Sequence, residues 1–222
     1  IWPMFAIAWL FNIIERGSAA YSRIESMLGE RSDIEEPTRP AAFVSALPLE
    51  ARGLGYQLEQ RSLLAGIDFA LQQGGMLGVV GRTGAGKSSL LKLLMRLANP
   101  TAGAITMGGV PIDQLPLGTL RNQFAYVPQE PFLFSTTIAA NIALGKPEAS
   151  REEIERVARI ACVHDDIVRF PRGYETEVGE KGVTLSGGQK QRLAIARALL
   201  LAAPILVLDD ALSAVDAHTE QQ

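Results

Sequence analysis

Apolar residues are distributed unevenly along this chain, and their spacing divides it into three parts. From Ile1 to Ile14 (IWPMFAIAWLFNII) the run is interrupted only by Asn12. A helix of that length covers about 21 Å, short of the roughly 30 Å hydrocarbon core of a bilayer. The run lacks a basic start and a small-residue cleavage site, which excludes a signal peptide. The expectation is the cytoplasmic half of a membrane-spanning helix; a buried helix of a soluble domain is the alternative. Trp2 and Trp9 fit interfacial anchors and lipid-facing or core packing equally well. Helix-compatible sequence continues through ERGSAAYSRIESML (15–28), where charges appear and Arg16 and Arg23 fall on the inner side. The charged stretch GERSDIEEPTRP (29–40) carries two prolines and reads as a linker.

From about residue 43 the pattern becomes that of a globular domain. Strand-like stretches occur around 47–58 and 66–72, and the apolar run MLGVVG (76–81) predicts a buried strand entering a glycine-rich turn. KSSLLKLLMRL (87–97) has helical spacing and is stopped by Asn99 and Pro100. Strand, loop and helix in this order form the first half of a doubly wound α/β domain. The region from about 130 to 200 is mostly helical in pattern. Ser150 with Glu153 three residues on predicts a capping box, and a second helix follows Gly187 and Gly188 through QKQRLAIARALLLA. ILVL (205–208) then predicts another buried strand.

Composition narrows this picture without changing it. Hydrophobic residues make up 47% of the 222 positions, so a sizeable core can form and global disorder is excluded. A net charge of −3 argues against a duplex-binding surface, and no nucleic-acid partner is expected. The single Cys162 excludes an internal disulfide and suits a reducing compartment; it reads as a small buried hydrophobe on a helix.

The candidate chemistry begins at GRTGAGKS (81–88), which matches G-x-x-x-x-G-K-[ST]. Gly81, Gly84 and Gly86, with Arg82, Thr83 and Ala85 between them, let successive backbone N–H groups curl around a phosphate chain. The helix from Lys87 adds its N-terminal dipole at the same place. Lys87 suits the β- and γ-phosphates, Ser88 a Mg²⁺ ion, and Ser89 the α-phosphate. Asp209 closes an apolar strand downstream, where a Mg²⁺-holding carboxylate is needed. Between them, Ser186, Gly187 and Gly188 open a second helix and hence a second anion-binding end. The simplest use of two such ends is a dimer in which one closes over the partner's nucleotide.

In the order and spacing of these segments the chain resembles the ATP-binding cassette superfamily, over essentially its whole length. LSGGQ (185–189) looks like the family signature, GRTGAGKS like its Walker A loop and ILVLDD like its Walker B strand. The resemblance implies an α/β P-loop NTPase nucleotide-binding domain with an antiparallel β subdomain and a helical subdomain, preceded by the end of a transmembrane helix. It assigns 1–28 to that helix and its cytoplasmic extension, 29–42 to the linker, and 43–222 to a nucleotide-binding domain ending before the family's switch histidine. Gln129 stands at the Q-loop, where it would sense γ-phosphate and Mg²⁺, and Ser213–Asp216 match the D-loop that crosses a dimer interface. Tyr56 stands where the family stacks an aromatic on adenine, but Gln57 replaces the proline that often follows, and a core role is equally open. His164 and His218 do not match the switch position and read as surface or packing residues.

The subclass resembled is the exporter. TEVGEKG (176–182) looks like the exporter X-loop, with Glu180 facing coupling helices, and PFLFSTTIAANIALG (131–145) like the segment that touches transmembrane helices. Phe132, Leu133 and Phe134 also fit a core. ERGSAAYSRIESML and LDDALSAVD are similar to multidrug-resistance-like bacterial half-transporters of the Mdl type, which pair with a different half-transporter subunit. The implied cofactors are ATP and Mg²⁺, with binding contributed by Ser186, Gly187, Gly188, Gln189 and Asp216 across the dimer. The implied setting is the bacterial inner membrane, with the domain on its cytoplasmic side and a transported small molecule leaving the cell. The family's catalytic glutamate is replaced by Asp210, one methylene shorter, so the expectation is slow hydrolysis at this chain's own site and a weak ATPase in isolation. A soluble cassette of DNA repair or translation and a non-hydrolytic regulatory module are the rival readings.

Overall fold

The computed structural model describes residues 2–30, 32–179 and 184–210. It divides into two units, Ile1–Glu35 and Glu36–Gln222. The first is one helix, α1 (Trp2–Gly29), with no buried residue. Its first half exposes Trp2, Phe5, Trp9 and Phe11, whereas Glu15, Arg16, Arg23 and Glu25 break up its second half. No helix among the described residues is long and apolar enough to cross a membrane.

The second unit begins with an antiparallel sheet formed by β1 (Leu49–Leu58), β2 (Arg61–Leu71), β3 (Ala102–Met107) and β4 (Val110–Pro111), in the order β2-β1-β3-β4. Alternation along β1 turns Leu49 and Ala51 inward and a register shift between Ala51 and Leu54 brings Leu54 to the same core, where they meet Leu90, Leu93 and Leu94 of α2 (Lys87–Leu94). Beneath this core lie β5 (Phe124–Val127) and β6 (Ile205–Leu208), paired in parallel with Phe124 opposite Ile205 and Val127 opposite Leu208. The short α3 (Leu117–Arg121) leads into β5.

The helical part comprises α4 (Ile138–Ile142), α5 (Arg151–Ile160), α6 (His164–Val168) and α7 (Gly187–Leu201). Ile138, Ile142, Val157, Ile167, Tyr174 and Leu193 form its buried centre. The capping box read from the sequence is present at α5: Glu153 N–H donates to Ser150 Oγ at 3.2 Å, and Ser150 N–H donates to Glu153 Oε2 at 2.8 Å.

Two expectations need correction. The run 76–81 forms no strand, and Met76 and Val80 are 96% and 95% exposed. A strand exists only through ladder hydrogen bonds, and among the described residues nothing pairs with this run. Cys162 is half-buried and lies just past α5 rather than on it, at φ 53°. There its N–H donates to Arg159 O and that of Val163 to Ala158 O, the two bonds of a Schellman C-cap. Because Ser150 Oγ satisfies the otherwise orphan N–H of Glu153, Ser150→Ala is expected to lower stability by about 1 kcal/mol. Urea denaturation of the chain measures this, as a lower midpoint at unchanged slope.

Candidate functional site

The loop before α2 passes through left-handed backbone at Gly84 (φ 79°) and Gly86 (φ 89°). A Cβ on Gly86 would stand 3.0 Å from both the Leu63 carbonyl oxygen and Leu64 Cδ2, so torsion and space both require glycine there. Gly81, Arg82, Thr83, Gly84 and Ala85 are exposed, whereas Gly86, Lys87, Ser88 and Ser89 are half-buried. The first N–H groups of α2 have no partner within the helix, and its dipole adds partial positive charge at the same end. Lys87 Nζ folds back over the loop, donating to Gly81 O at 2.9 Å and Arg82 O at 3.2 Å. These are exchangeable contacts to exposed carbonyls, which a phosphate oxygen can replace.

The parallel pairing of β5 and β6 ends both strands at the same edge, the usual place for a ligand in an α/β sheet. Asp209 N–H extends the ladder to Val127 O at 3.0 Å, which seats its carboxylate at 7% exposure. Ser88 Oγ donates to Asp209 Oδ1 at 3.0 Å across a separation of 121 residues. One residue on, the backbone turns left-handed (Asp210 φ 50°), and Gln129 Nε2 donates to Asp210 Oδ2 at 3.3 Å. Lys87, Ser88, Gln129, Asp209 and Asp210 are thus gathered from three segments, and the two aspartates have different partners. An apolar cavity of about 630 Å³, lined by Leu77, Val79, Leu206 and Leu208, adjoins Lys87 and both aspartates.

One participant was not read from the sequence. Tyr126 O–H donates to Asp209 Oδ2 at 3.2 Å. Burial, then the charge of Asp209, then this hydrogen bond push the phenol up to about 12, so it stays a neutral donor. Within FAYV it looks like an ordinary strand aromatic, and only the pairing of β5 with β6 exposes its role.

Ser186 caps α7. Its Oγ accepts from Gln189 N–H at 3.2 Å, and Gln189 Oε1 accepts from Ser186 N–H at 3.0 Å, so Gly187 and Gly188 open a doubly capped helix. No hydrogen bond among the described residues joins this end to the Lys87–Asp209 group. Tyr56 is half-buried against the core and opposite Leu64 in the β1–β2 ladder. His164 Nδ1 lies 2.8 Å from Tyr174 Oη. Glu180, Ser213, Asp216 and His218 lie outside the described residues.

The oxygen pair of Ser88 and Asp209 suits a hard divalent cation such as Mg²⁺. Among the described residues no three His, Cys, Asp or Glu side chains converge on a metal position. Such an ion would therefore take its remaining ligands from phosphate and water, which is how Mg²⁺ is usually held.

Comparison with known proteins agrees with this arrangement. The multidrug resistance-like ATP-binding protein MdlA of Escherichia coli (strain K12) is 53% identical over 223 residues, covering 100% of this chain and 38% of that protein. An ATP-dependent lipid A-core flippase of Chromohalobacter salexigens is 42% identical over 220 residues, covering 99% and 38%. The structure of a bacterial Atm1-family ABC exporter with ATP bound superimposes with a TM-score of 0.85 at 38% identity, covering 94% of this chain and 37% of that one. The chain spans 38% of the length of the two relatives matched by sequence. The pattern of the ABC transporter family matches residues 64–213, taking in the phosphate loop, both parallel strands and α7. With that match, and with Ser88 and Asp209 joined as the phosphate loop requires, the chain belongs to the ABC transporter family and has the fold of its ATP-binding domain.

Proposed function

We propose that this chain is the ATP-binding domain of a membrane exporter, in which Mg²⁺-ATP binding and hydrolysis drive efflux of lipophilic small molecules. The observation that carries this reading is the Ser88–Asp209 hydrogen bond. It supports a cation position beside the start of α2, where the helix end suits an anion. Relatives named as multidrug-resistance-like and lipid-flipping proteins support the exporter class and a lipophilic cargo.

In this mechanism the amides of residues 82–88 and the Lys87 ammonium bind the phosphate chain. Lys87 gives up its two loop carbonyls to neutralise charge between the outer phosphates. Ser88 and Asp209 would hold Mg²⁺, which would supply charge neutralisation at the transferred phosphate. Asp210 orients the attacking water, and Gln129, already in contact with it, registers the occupancy of the site. Tyr126 holds the second oxygen of Asp209 without competing for its charge. Stacking of Tyr56 on adenine completes the pocket.

The doubly capped start of α7 suits a role in trans, with Ser186 to Gln189 and Asp216 closing over the nucleotide of a second subunit. We infer a heterodimer of unequal sites. Aspartate at 210 withdraws the carboxylate by roughly 1.5 Å relative to glutamate, about one C–C bond. Misplacement near 1 Å can cost about a hundredfold in rate. The domain acts on the cytoplasmic side of the bacterial inner membrane.

Three variants of the full-length protein, assembled with its partner subunit, test this reading. Lys87→Ala is expected to weaken ATP binding at this site about 10- to 100-fold, the worth of a lost charge-assisted hydrogen bond, as measured with a fluorescent nucleotide. Asp210→Glu should raise steady-state turnover, while Ser186→Arg should lower it by blocking the partner's site. Unchanged turnover in Ser186→Arg, or its complete loss in Asp210→Ala, would rule out the unequal-site arrangement. Unimpaired ATP binding in Lys87→Ala would rule out the phosphate loop assignment itself.

A further inference from the structure

Away from the phosphate loop, a second polar cluster links α7 to the segment that follows β5. The guanidinium of Arg197, on α7, spreads three donors over that segment. Nε donates to Asn141 O at 2.8 Å, Nη1 to Phe132 O at 3.1 Å, and Nη2 to Asn141 Oδ1 at 3.2 Å. Asn141 is 1% exposed and completes the cluster. Its Oδ1 also accepts from Phe134 N–H at 2.9 Å, and its Nδ2 donates to Phe134 O at 2.9 Å and Thr137 O at 3.1 Å. All four hydrogen-bonding positions of the amide are therefore used.

What this cluster holds is on the outside. Phe132 and Phe134 meet edge to face at 5.0 Å between ring centroids, yet are 67% and 47% exposed. Their own rings do not anchor their backbone; Arg197 and Asn141 hold it by hydrogen bonds, beside Leu133, which packs against the helical core. Among the described residues no carboxylate pairs with Arg197, whose charge is met only by carbonyl oxygens, and burial lowers its pKa. Arg197 is half-buried, and holding a charge partly out of water with carbonyl acceptors alone is costly, so its three bonds to one segment suit a role in setting that segment's position. Only the planar fork of arginine reaches three spread acceptors at once. From Ser186 to Arg197 the helix measures about 16 Å and is continuous, so its two ends move together.

We propose that Arg197 is a positioning residue that fastens the Phe132–Phe134 surface to α7, so that nucleotide contact at the Ser186 end and displacement of the aromatic surface are one rigid-body event. This rests on the exporter reading, since it is in a transporter that such a displacement has work to do. Arg197 touches neither nucleotide nor cargo; it acts through Asn141 and the backbone of 132–134.

The test uses the full-length transporter with its partner in lipid vesicles, reading nucleotide affinity, basal turnover and stimulation by a lipophilic dye. Arg197→Lys keeps the charge and loses the fork. It should leave affinity and basal turnover within about twofold, while the stimulated-to-basal ratio falls by about fivefold or more. Phe132→Ala with Phe134→Ala, at exposed positions that do not threaten folding, should do the same. In the unaltered protein, Mg²⁺-ATP should slow amide exchange over 132–141 together with the start of α7. Wild-type stimulation in both variants overturns the proposal, as does protection of α7 without protection of 132–141. Equal loss of affinity, turnover and stimulation in Arg197→Lys, with exchange at 132–141 unaffected by nucleotide, assigns Arg197 a purely structural role and also overturns it. Absence of nucleotide binding and dye transport in the unaltered protein would instead overturn the exporter reading.

Discussion

Helix α7 must bury two opposite faces at once, and the arrangement of the site follows from that requirement. Leu193, Ala196 and Leu200 pack into the helical centre with Ile138, Val157 and Tyr174. On the other side Ala194 and Ala198 lie against Ala125 and Val127 of β5. Alanines at 125, 194 and 198 let the helix approach the sheet closely on that second face. The strand that carries Gln129 at its end is thereby held against the helix that begins at Ser186. Arg192 pairs with Asp166 of α6, adding a polar tie on the helical side.

Two polar clusters at this joint are held by close pairing, although Gln191 Nε2 and Arg192 Nε of α7 are buried without a hydrogen bond among the described residues. Asp209 is nearly buried, which is costly for a carboxylate unless its oxygens are occupied. Ser88 takes one and the neutral Tyr126 phenol the other. Asn141 and Arg197 solve the same problem with carbonyl acceptors in place of an ion pair. In both clusters the partners come from elements far apart in sequence, so each cluster also fixes how those elements sit. A fully satisfied buried network rigidifies its surroundings, whereas a partly satisfied one would destabilise them.

Local patterns were legible where local physics decides. The capping box at Ser150 and the helix opening at Gly187 rest on neighbouring residues, and the structure contains both; ILVL also forms a strand, through its pairing with β5, but exposes Leu206 and Leu208 where full burial was expected. The glycine pattern of the phosphate loop was equally plain, because left-handed backbone at Gly84 and Gly86 is a property of the turn itself. The run 76–81 departs from its expected strand for the opposite reason. Its apolar composition describes where a strand could be buried, while a ladder needs a partner that no local pattern supplies. Cys162 was misplaced by one structural step, because helical spacing does not show where a Schellman turn ends the helix. Tyr126, Asn141 and Arg197 gave no sign at all; in sequence each is an ordinary residue of an apolar strand or amphipathic helix.

The sequence by itself determined which residues could meet a phosphate and a divalent ion, since glycine spacing, a lysine and a strand-ending aspartate carry that chemistry wherever they occur. It also placed a second aspartate, Asp210, directly after the first. The tertiary structure decided which of these groups meet. Parallel register of β5 and β6 set Gln129 on Asp210, and packing of α2 against the sheet brought Ser88 to Asp209 across 121 residues. It also decided that two exposed phenylalanines are governed from inside, by an arginine on α7. Contacts of this kind depend on the relative placement of whole elements, and that placement is settled by side-chain packing across the core, which no window of neighbouring residues contains.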